Sequence, residues 1–247
     1  MTVRALSTVQ KALEVLNLIG QSREPVRSID LAKALGESPA TVHQRLVTLE
    51  SSGWIERTEG GRYRLAFKFV GFADSALEQA DFGERVQDIL QSISAESSEA
   101  ASLSVLDGTE IVIVRRVESR GPLRADLRVG TRLPVGSSAS GKAFLAFGSA
   151  KQIEGFRERV TPLEPEELQQ IRNDGYATII LHGVRRVAAV AAPVFNAAGS
   201  CIATVTVSGP EQGFDFAGSG ALTVKGAREI SMRFQGTRHG RHELQFA

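Results

Sequence analysis

Between Ser38 and Glu50 the residues able to do chemistry gather on one side of a helical repeat. Ala40, Thr41, Gln44 and Thr48 share a face, His43 and Arg45 flank it, and Val42, Leu46 and Leu49 take the opposite side. A glutamine amide donates and accepts at once, which matches the N6 and N7 edge of adenine, and alanine or threonine methyls suit the thymine methyl. Arg45 suits a phosphate or a guanine edge. This is the chemistry of reading bases in a major groove.

A second candidate lies at Gly136-Ser-Ser-Ala-Ser-Gly-Lys142, which fits the first part of a phosphate-loop pattern. Ala143 stands where that pattern needs a serine or threonine for magnesium, and no apolar strand ending in aspartate supplies the other metal anchor. Nucleotide hydrolysis is therefore not expected. A Ser/Gly turn entering a helix still presents backbone N–H groups and a positive helix end, which together suit a carboxylate.

Other enzyme chemistry lacks parts. Ser140 stands where a nucleophile elbow needs its last glycine, and the four histidines (His43, His182, His239 and His242) form only one close pair, in a polar tail. No acid or thiol accompanies them at ligand spacing, so neither a metal site nor a cofactor is expected.

The elements that must position the first set read as helix, turn, helix and wing. Ser28 to Gly36 forms a short helix that Ser28 is placed to cap and Gly36 to stop, and Ser38-Pro39 is a capping serine with proline at the first helical position. Trp54-Ile-Glu-Arg57 and Arg62-Tyr-Arg-Leu-Ala66 are strands around a Thr58-Glu-Gly-Gly61 turn, which carries Arg62 toward backbone phosphate or a minor groove. The stretch 65–80 is too apolar for a tether and reads as a linker helix, with Phe69, Phe72, Ala73 and Ala76 near one face. Together with Leu13 and Leu16 it offers a dimer surface.

Farther on, the pattern predicts a helix over 82–97, strands at 101–106 and 110–117 joined by Asp107-Gly108, and a further strand at 123–129. Strands follow at 188–195 and 201–208, flanking a turn at 196–199. Helices at 140–147, 150–159, 165–174 and 218–234 would cover this antiparallel sheet, an α+β architecture of sensory type.

Composition sets bounds consistent with this. The 247 residues hold 29 lysines and arginines against 28 acids, and residues 1–75 carry 10 basic against 8 acidic side chains. A module this weakly basic binds phosphate modestly and is expected to act in pairs on two half-sites. No apolar run reaches membrane length and the N-terminus lacks a secretory core, so no membrane partner is expected. A single cysteine, Cys201, cannot form an internal disulfide. It reads as a small buried residue of a cytoplasmic protein.

Several segments in order resemble the IclR-type transcriptional regulators. Ser7-Thr-Val-Gln-Lys-Ala-Leu-Glu-Val-Leu16 is similar to the family's first helix, Ser38 to Leu46 to its recognition helix, and Gly53-Trp-Ile55 with Tyr63-Arg-Leu65 to its wing. Gly130 to Pro134, Ser138 to Ala143, Ile171 to Ala177, Val190 to Val194 and Val205 to Pro210 match further family segments. The resemblance spans almost the whole chain.

It implies a winged helix-turn-helix DNA-binding domain over residues 1–68, a linker helix over 69–81 and a GAF-like effector-binding domain over 82–247. The implied partners are a double-stranded DNA operator, a small carboxylate effector, aliphatic or aromatic, and further copies of the chain as a homodimer or dimer of dimers. The expected DNA-binding set is Ser38, Pro39, Ala40, Thr41, His43, Gln44, Arg45, Thr48 and Arg62. Carried over from the family, Ala139, Ser140 and Gly141 form an anion cradle, while Thr178, Ala191, Pro193, Thr206 and Ser208 line the rest of the pocket. Thr206 and Ser208 share a strand face, so both hydroxyls can meet one ligand.

After Ala177 the chain departs from the family's usual acidic residues, reading Thr178-Ile-Ile-Leu-His-Gly-Val-Arg-Arg186. If this segment is a loop over the pocket, His182, Arg185 or Arg186 favours a more negative ligand or one reaching further; the alternative is that they sit in solvent, the commoner fate of an arginine pair. The competing reading is a ligand-binding enzyme with an accessory helical domain.

Overall fold

The computed structural model describes residues 5–79, 86–119, 121, 127–154, 160, 162–181 and 186–235. Contacts divide the chain into two compact units, Met1–Ala80 and Asp81–Ala247.

In the first unit α1 (Ser7–Gln21), α2 (Ser28–Leu35) and α3 (Pro39–Ser51) precede a hairpin of β1 (Ile55–Arg57) and β2 (Tyr63–Leu65), and α4 (Lys68–Gln79) ends it. Pro39 opens α3 behind Ser38, whose Oγ accepts the Thr41 N–H at 3.2 Å. Gly36 closes α2 at φ 65°, a left-handed angle that glycine adopts without steric cost. Ser28 does not cap α2. Arg27 occupies the cap position without capping a backbone N–H, and its guanidinium instead grips Asp30 in the first turn at 2.8 Å.

Val15, Ile19, Leu31, Val42, Leu46, Leu49, Ile55 and Tyr63 make the core of this unit. Linker helix α4 seats Phe69 and Phe72 against Trp54, at ring separations of 5.2 and 5.0 Å, with the Lys68 ammonium 4.4 Å from the Trp54 ring.

In the second unit α5 (Gln87–Ser97) leads to β3 (Ala100–Asp107), β4 (Glu110–Val117) and β5 (Arg132–Pro134). Then come α6 (Ala139–Phe147), α7 (Ala150–Glu154), α8 (Pro165–Asp174), β6 (Ala177–Leu181), β7 (Val187–Phe195), β8 (Cys201–Pro210) and α9 (Phe216–Gln235). The strands form one sheet in the order β5-β4-β3-β8-β7-β6, antiparallel throughout. Gly108, at φ 61°, turns β3 into β4 as the Asp-Gly pair predicts.

Helices cover both faces. Ala139, Ala143 and Ala146 of α6 and Ile171 of α8 pack on Ala177, Ala189 and Ala191, while α5 and α9 pack on the opposite side. Covered on both faces, β7 is an unbroken run of small apolar residues rather than an alternating one. Close packing depends on glycine. A Cβ at Gly226 would lie 2.4 Å from Ile93 of α5, and one at Gly141 would lie 2.0 Å from the Val135 carbonyl oxygen.

Two strands escape the sequence pattern. β5 is three residues long and sits at the sheet edge, where Pro134 withholds no ladder hydrogen bond that the sheet needs. β6, read as a loop from 178 onward, is the opposite edge strand, paired with β7 from Ala177↔Ala191 to Leu181↔Val187. The strand expected at 123–129 is not formed at 127–130, where a turn leads to Thr131; positions 122–126 lie outside the described residues.

Candidate functional site

On α3 the helical period delivers the expected display. Val42 and Leu46 are fully buried, while Ala40, Thr41, His43, Gln44 and Thr48 are exposed, with Ser38 and Pro39 exposed at its start. Ser38 and Thr41 hydroxyls bond each other at 2.8 Å, and the Thr48 hydroxyl donates to the Gln44 carbonyl at 2.9 Å. These bonds fix the threonine rotamers, so their methyl groups are held in set positions. Gln44 keeps its side-chain amide for an outside partner.

Arg45 departs from the expectation. Its side chain is 12% exposed and bound to Glu37 through both terminal nitrogens, and Glu37 also binds Lys11 of α1. With two cations donating to it, Arg45 first and then Lys11, the Glu37 carboxyl is pulled down to about 2. Arg45, half-buried, thus ties α3 through Glu37 to α1 and the turn. Sequence spacing places it beside the reading face but cannot show that Glu37, eight residues earlier, reaches it first.

In the wing, the Thr58 N–H donates to the Arg62 carbonyl at 2.8 Å and the Gly61 N–H to the Thr58 carbonyl at 2.9 Å, closing the turn. Arg62 is exposed and its Nη1 donates to the Pro25 carbonyl at 3.3 Å. Arg57, which the sequence reading passed over, is also exposed, with its guanidinium 5.9 Å from the Tyr63 ring. Arg64 is instead engaged by Glu56 at 2.9 Å.

In the second unit the register across the sheet brings distant residues into one lateral row. Ala177 pairs with Ala191, Ala191 with Thr206, Thr206 with Ser102, and Ser102 with Arg116. Paired residues of an antiparallel ladder share a face. That face is the one under α6, because the Ser140 hydroxyl meets the Thr206 hydroxyl at 2.7 Å. Ser208, Thr204 and Ser104 share it, and all six hydroxyl residues (Ser102, Ser104, Ser140, Thr204, Thr206 and Ser208) are buried. Pro193 lies on it opposite Thr204, beyond the point where β6 stops pairing with β7.

Three family-derived positions fare differently. Thr178 pairs with Val190, one residue out of phase with Ala177, so it lies on the other face and is exposed. Gly141 gives its N–H to Ser138 Oγ at 3.1 Å and its bare Cα lies close against Val135, so its N–H is engaged within the chain. Ala139 points its methyl into the alanine cluster between α6 and the sheet, leaving only its backbone for a ligand.

Lys142, the lysine of the phosphate-loop-like run, is held by Glu167 of α8 at 2.5 Å. Arg186 pairs with Glu211 at 2.6 Å; His182 and Arg185 lie outside the described residues. Cys201 is fully buried, and burial pushes its thiol up to about 12, which removes the thiolate needed for redox reactivity.

Both halves of the chain match family profiles: residues 8–59 that of the IclR helix-turn-helix domain, and residues 74–231 that of the bacterial transcriptional regulator IclR C-terminal domain. The chain belongs to the IclR family. It is 29% identical over 216 residues to the HTH-type transcriptional regulator XynR of Escherichia coli K12, covering 82% of this chain and 86% of XynR. The crystal structure of the Thermotoga maritima IclR superposes with a TM-score of 0.73 at 26% identity, over 93% of this chain and 99% of that one. An IclR homolog from Microbacterium hydrocarbonoxydans, solved as a complex with 4-hydroxybenzoate, shares the fold with a TM-score of 0.79 at 19% identity, over 92% and 98% of the two chains.

This IclR-family chain is therefore a transcriptional regulator with a DNA-binding helix-turn-helix and a C-terminal domain of the ligand-binding kind. Its α+β fold is the expected one: a winged helix-turn-helix, a linker helix and a GAF-like antiparallel sheet flanked by helices. Among the described residues, no helix is long and apolar enough to cross a membrane.

Proposed function

We propose that this regulator binds an operator through α3 and the wing, and that a small carboxylate held on the α6-facing side of the sheet modulates that binding. Ala40, Thr41, His43, Gln44 and Thr48 read bases; Ser38, Pro39 and Arg62 contact the backbone. In the other unit Ser140, Thr206 and Ser208 take the ligand's oxygens, with the Ala139 backbone at the positive end of α6 and with Ala191 and Pro193 as apolar wall. The boundaries are residues 68 and 81.

The observation that carries this reading is the hydroxyl group set buried on an otherwise alanine-lined face. Burying hydroxyls away from water is costly unless they are hydrogen-bonded; Ser140 and Thr206 bond each other, but Ser104, Thr204 and Ser208 find no partner among the described residues, which supports a polar guest on this face. The M. hydrocarbonoxydans homolog was crystallised with 4-hydroxybenzoate, which supports placing an aromatic acid in the test panel.

The chain works as a homodimer or dimer of dimers. Leu6 at the N-cap of α1 and Val9 and Leu13 within it are each more than half exposed at helical spacing, an apolar stripe suited to a second copy. The effector shifts the balance between two arrangements of paired DNA-binding domains, and only by its difference in affinity for the two.

The test is operator affinity for the protein's own upstream DNA, at stated salt, with aliphatic and aromatic acids added in turn. Sequence-specific binding changed by one acid is the expected result. Specific binding that no acid changes would remove the effector half of the reading, and no specific binding would remove the operator half.

A further inference from the structure

The hydroxyl-bearing face extends past the residues the family points to. Ser102↔Arg116 ends the row that begins at Ala177 and passes through Thr206, which puts an arginine on the same sheet face as the effector hydroxyls. The Arg116 side chain is 3% exposed. An arginine stays charged at any working pH, so a guanidinium this deep must be matched by anions or acceptors.

It is only partly matched. Glu118, two residues on and just past the end of β4, takes Nε at 2.7 Å and Nη2 at 3.4 Å, and is itself 43% exposed. Arg116 Nη1 is buried without a partner among the described residues, and so are Ser104 Oγ, Thr204 Oγ1 and Ser208 Oγ. Reaching toward Glu118, the Arg116 head lies along the strand from Ser102 toward the next lateral row, where Ala100 of β3 pairs with Ser208 of β8. Ala100, the partner of Ser208 in that row, carries only a methyl. Neighbouring strands are about 4.8 Å apart.

We propose that Arg116 is the residue by which this regulator selects acids: the effector's carboxylate accepts hydrogen bonds from Arg116 Nη1 and Ser208 Oγ above Ala100. The inference deepens the effector reading given above and rests on it. It assigns the charge-reading role to β4 and leaves the Ser140–Thr206 pair to hold a polar group at the other end of the ligand. The ligand class is a monocarboxylate with a hydroxyl or carbonyl separated from the carboxylate by roughly a strand spacing or more. Glu118 is the counter-ion that holds the guanidinium ready and competes with the ligand for it.

The experiment is calorimetric titration of the full chain with pyruvate, benzoate and 4-hydroxybenzoate, and with benzamide and 4-hydroxybenzamide as neutral isosteres. The wild type is expected to bind at least one acid and to prefer it over its amide. Arg116→Gln should weaken acid binding by about tenfold or more while leaving amide binding nearly unchanged, since only the charge-assisted hydrogen bond is lost. Arg116→Lys should recover part of the preference. Glu118→Gln should tighten acid binding, a result that a purely structural Arg116–Glu118 pair would not give.

Equal acid preference in wild type and Arg116→Gln, with the variant's melting temperature showing it folded, would overturn the assignment and leave the effector reading standing. If Arg116→Gln does not fold, loosened or unchanged acid binding in Glu118→Gln would overturn it. Wild-type protein that binds none of the acids would overturn the effector reading and this assignment with it.

Discussion

The two units handle polar side chains in opposite ways. In the DNA-binding unit Gln44, His43 and Thr41 stand in solvent around an apolar core, while in the C-terminal unit six hydroxyl residues and the side chain of Arg116 are buried on a sheet face. The first unit meets a large hydrated polyanion and needs donors on display. The second meets a small guest and needs donors that water does not reach, where each hydrogen bond is worth more. On the function proposed above, one chain separates the recognition of nucleic acid from that of a small ligand by exposure, not by residue type.

The comparison breaks most sharply at Gly141, the point where α6 is pressed onto the sheet. Gly141→Val places carbon against the Val135 carbonyl, and the second unit should lose about 3 kcal/mol or more of stability while the first unit is spared. Denaturation followed by far-UV circular dichroism and by fluorescence of Trp54, the chain's one tryptophan, separates the two. Coincident loss in both signals would contradict independent units.

Gln44→Ala is expected to cost about 1–3 kcal/mol at one operator base pair and to flatten preference there. Binding to operators substituted one pair at a time measures it. Arg62→Ala should instead weaken binding by a similar factor on every sequence and reduce the salt slope by about 1. If the two variants behaved alike, the division between base reading and backbone contact would fail.

Acid sharpens the contrast from the side of stability. The Glu37 carboxyl, held at about 2 by Arg45 and Lys11 against an ordinary 4.5, contributes stability that is complete above about pH 4.5. That contribution declines as pH falls below 4.5 and is gone below about 2, because the unfolded chain takes up the proton first. Trp54 fluorescence should therefore report an acid transition in the first unit that Glu37→Gln makes shallower. The smallest effect belongs to Thr178→Ala, which should leave acid binding unchanged where Thr206→Ala weakens it by about 1 kcal/mol.

Helix-turn-helix, wing and reading face were all legible before any coordinates, since capping, glycine stops and a 3.6-residue period act within a few residues of one another. The same reasoning found β3, β4, β7, β8 and the helices on the sheet. It missed β6, because an edge strand carries no strong alternation, and it misassigned Ser28, because Arg27 and Asp30 close that helix end instead. Arg45 and Gly141 have partners within the chain that spacing did not show: Glu37 holds the Arg45 guanidinium and Ser138 takes the Gly141 N–H. The type of a residue states what it can do, and its partner states what it does.

The sequence by itself determined the local elements, their order and the family, because short-range sterics and periodicity are written in neighbouring residues. Only the tertiary structure decided which face each strand residue occupies and which charges are already spent. Ser140 lies 66 residues from Thr206, Arg186 lies 25 from Glu211, and Thr206 and Arg116 share a face through β3, which pairs with both their strands. Register and long-range pairing fix such contacts, and a single residue of phase, as between Ala177 and Thr178, moves a side chain from the buried face under α6 to the solvent.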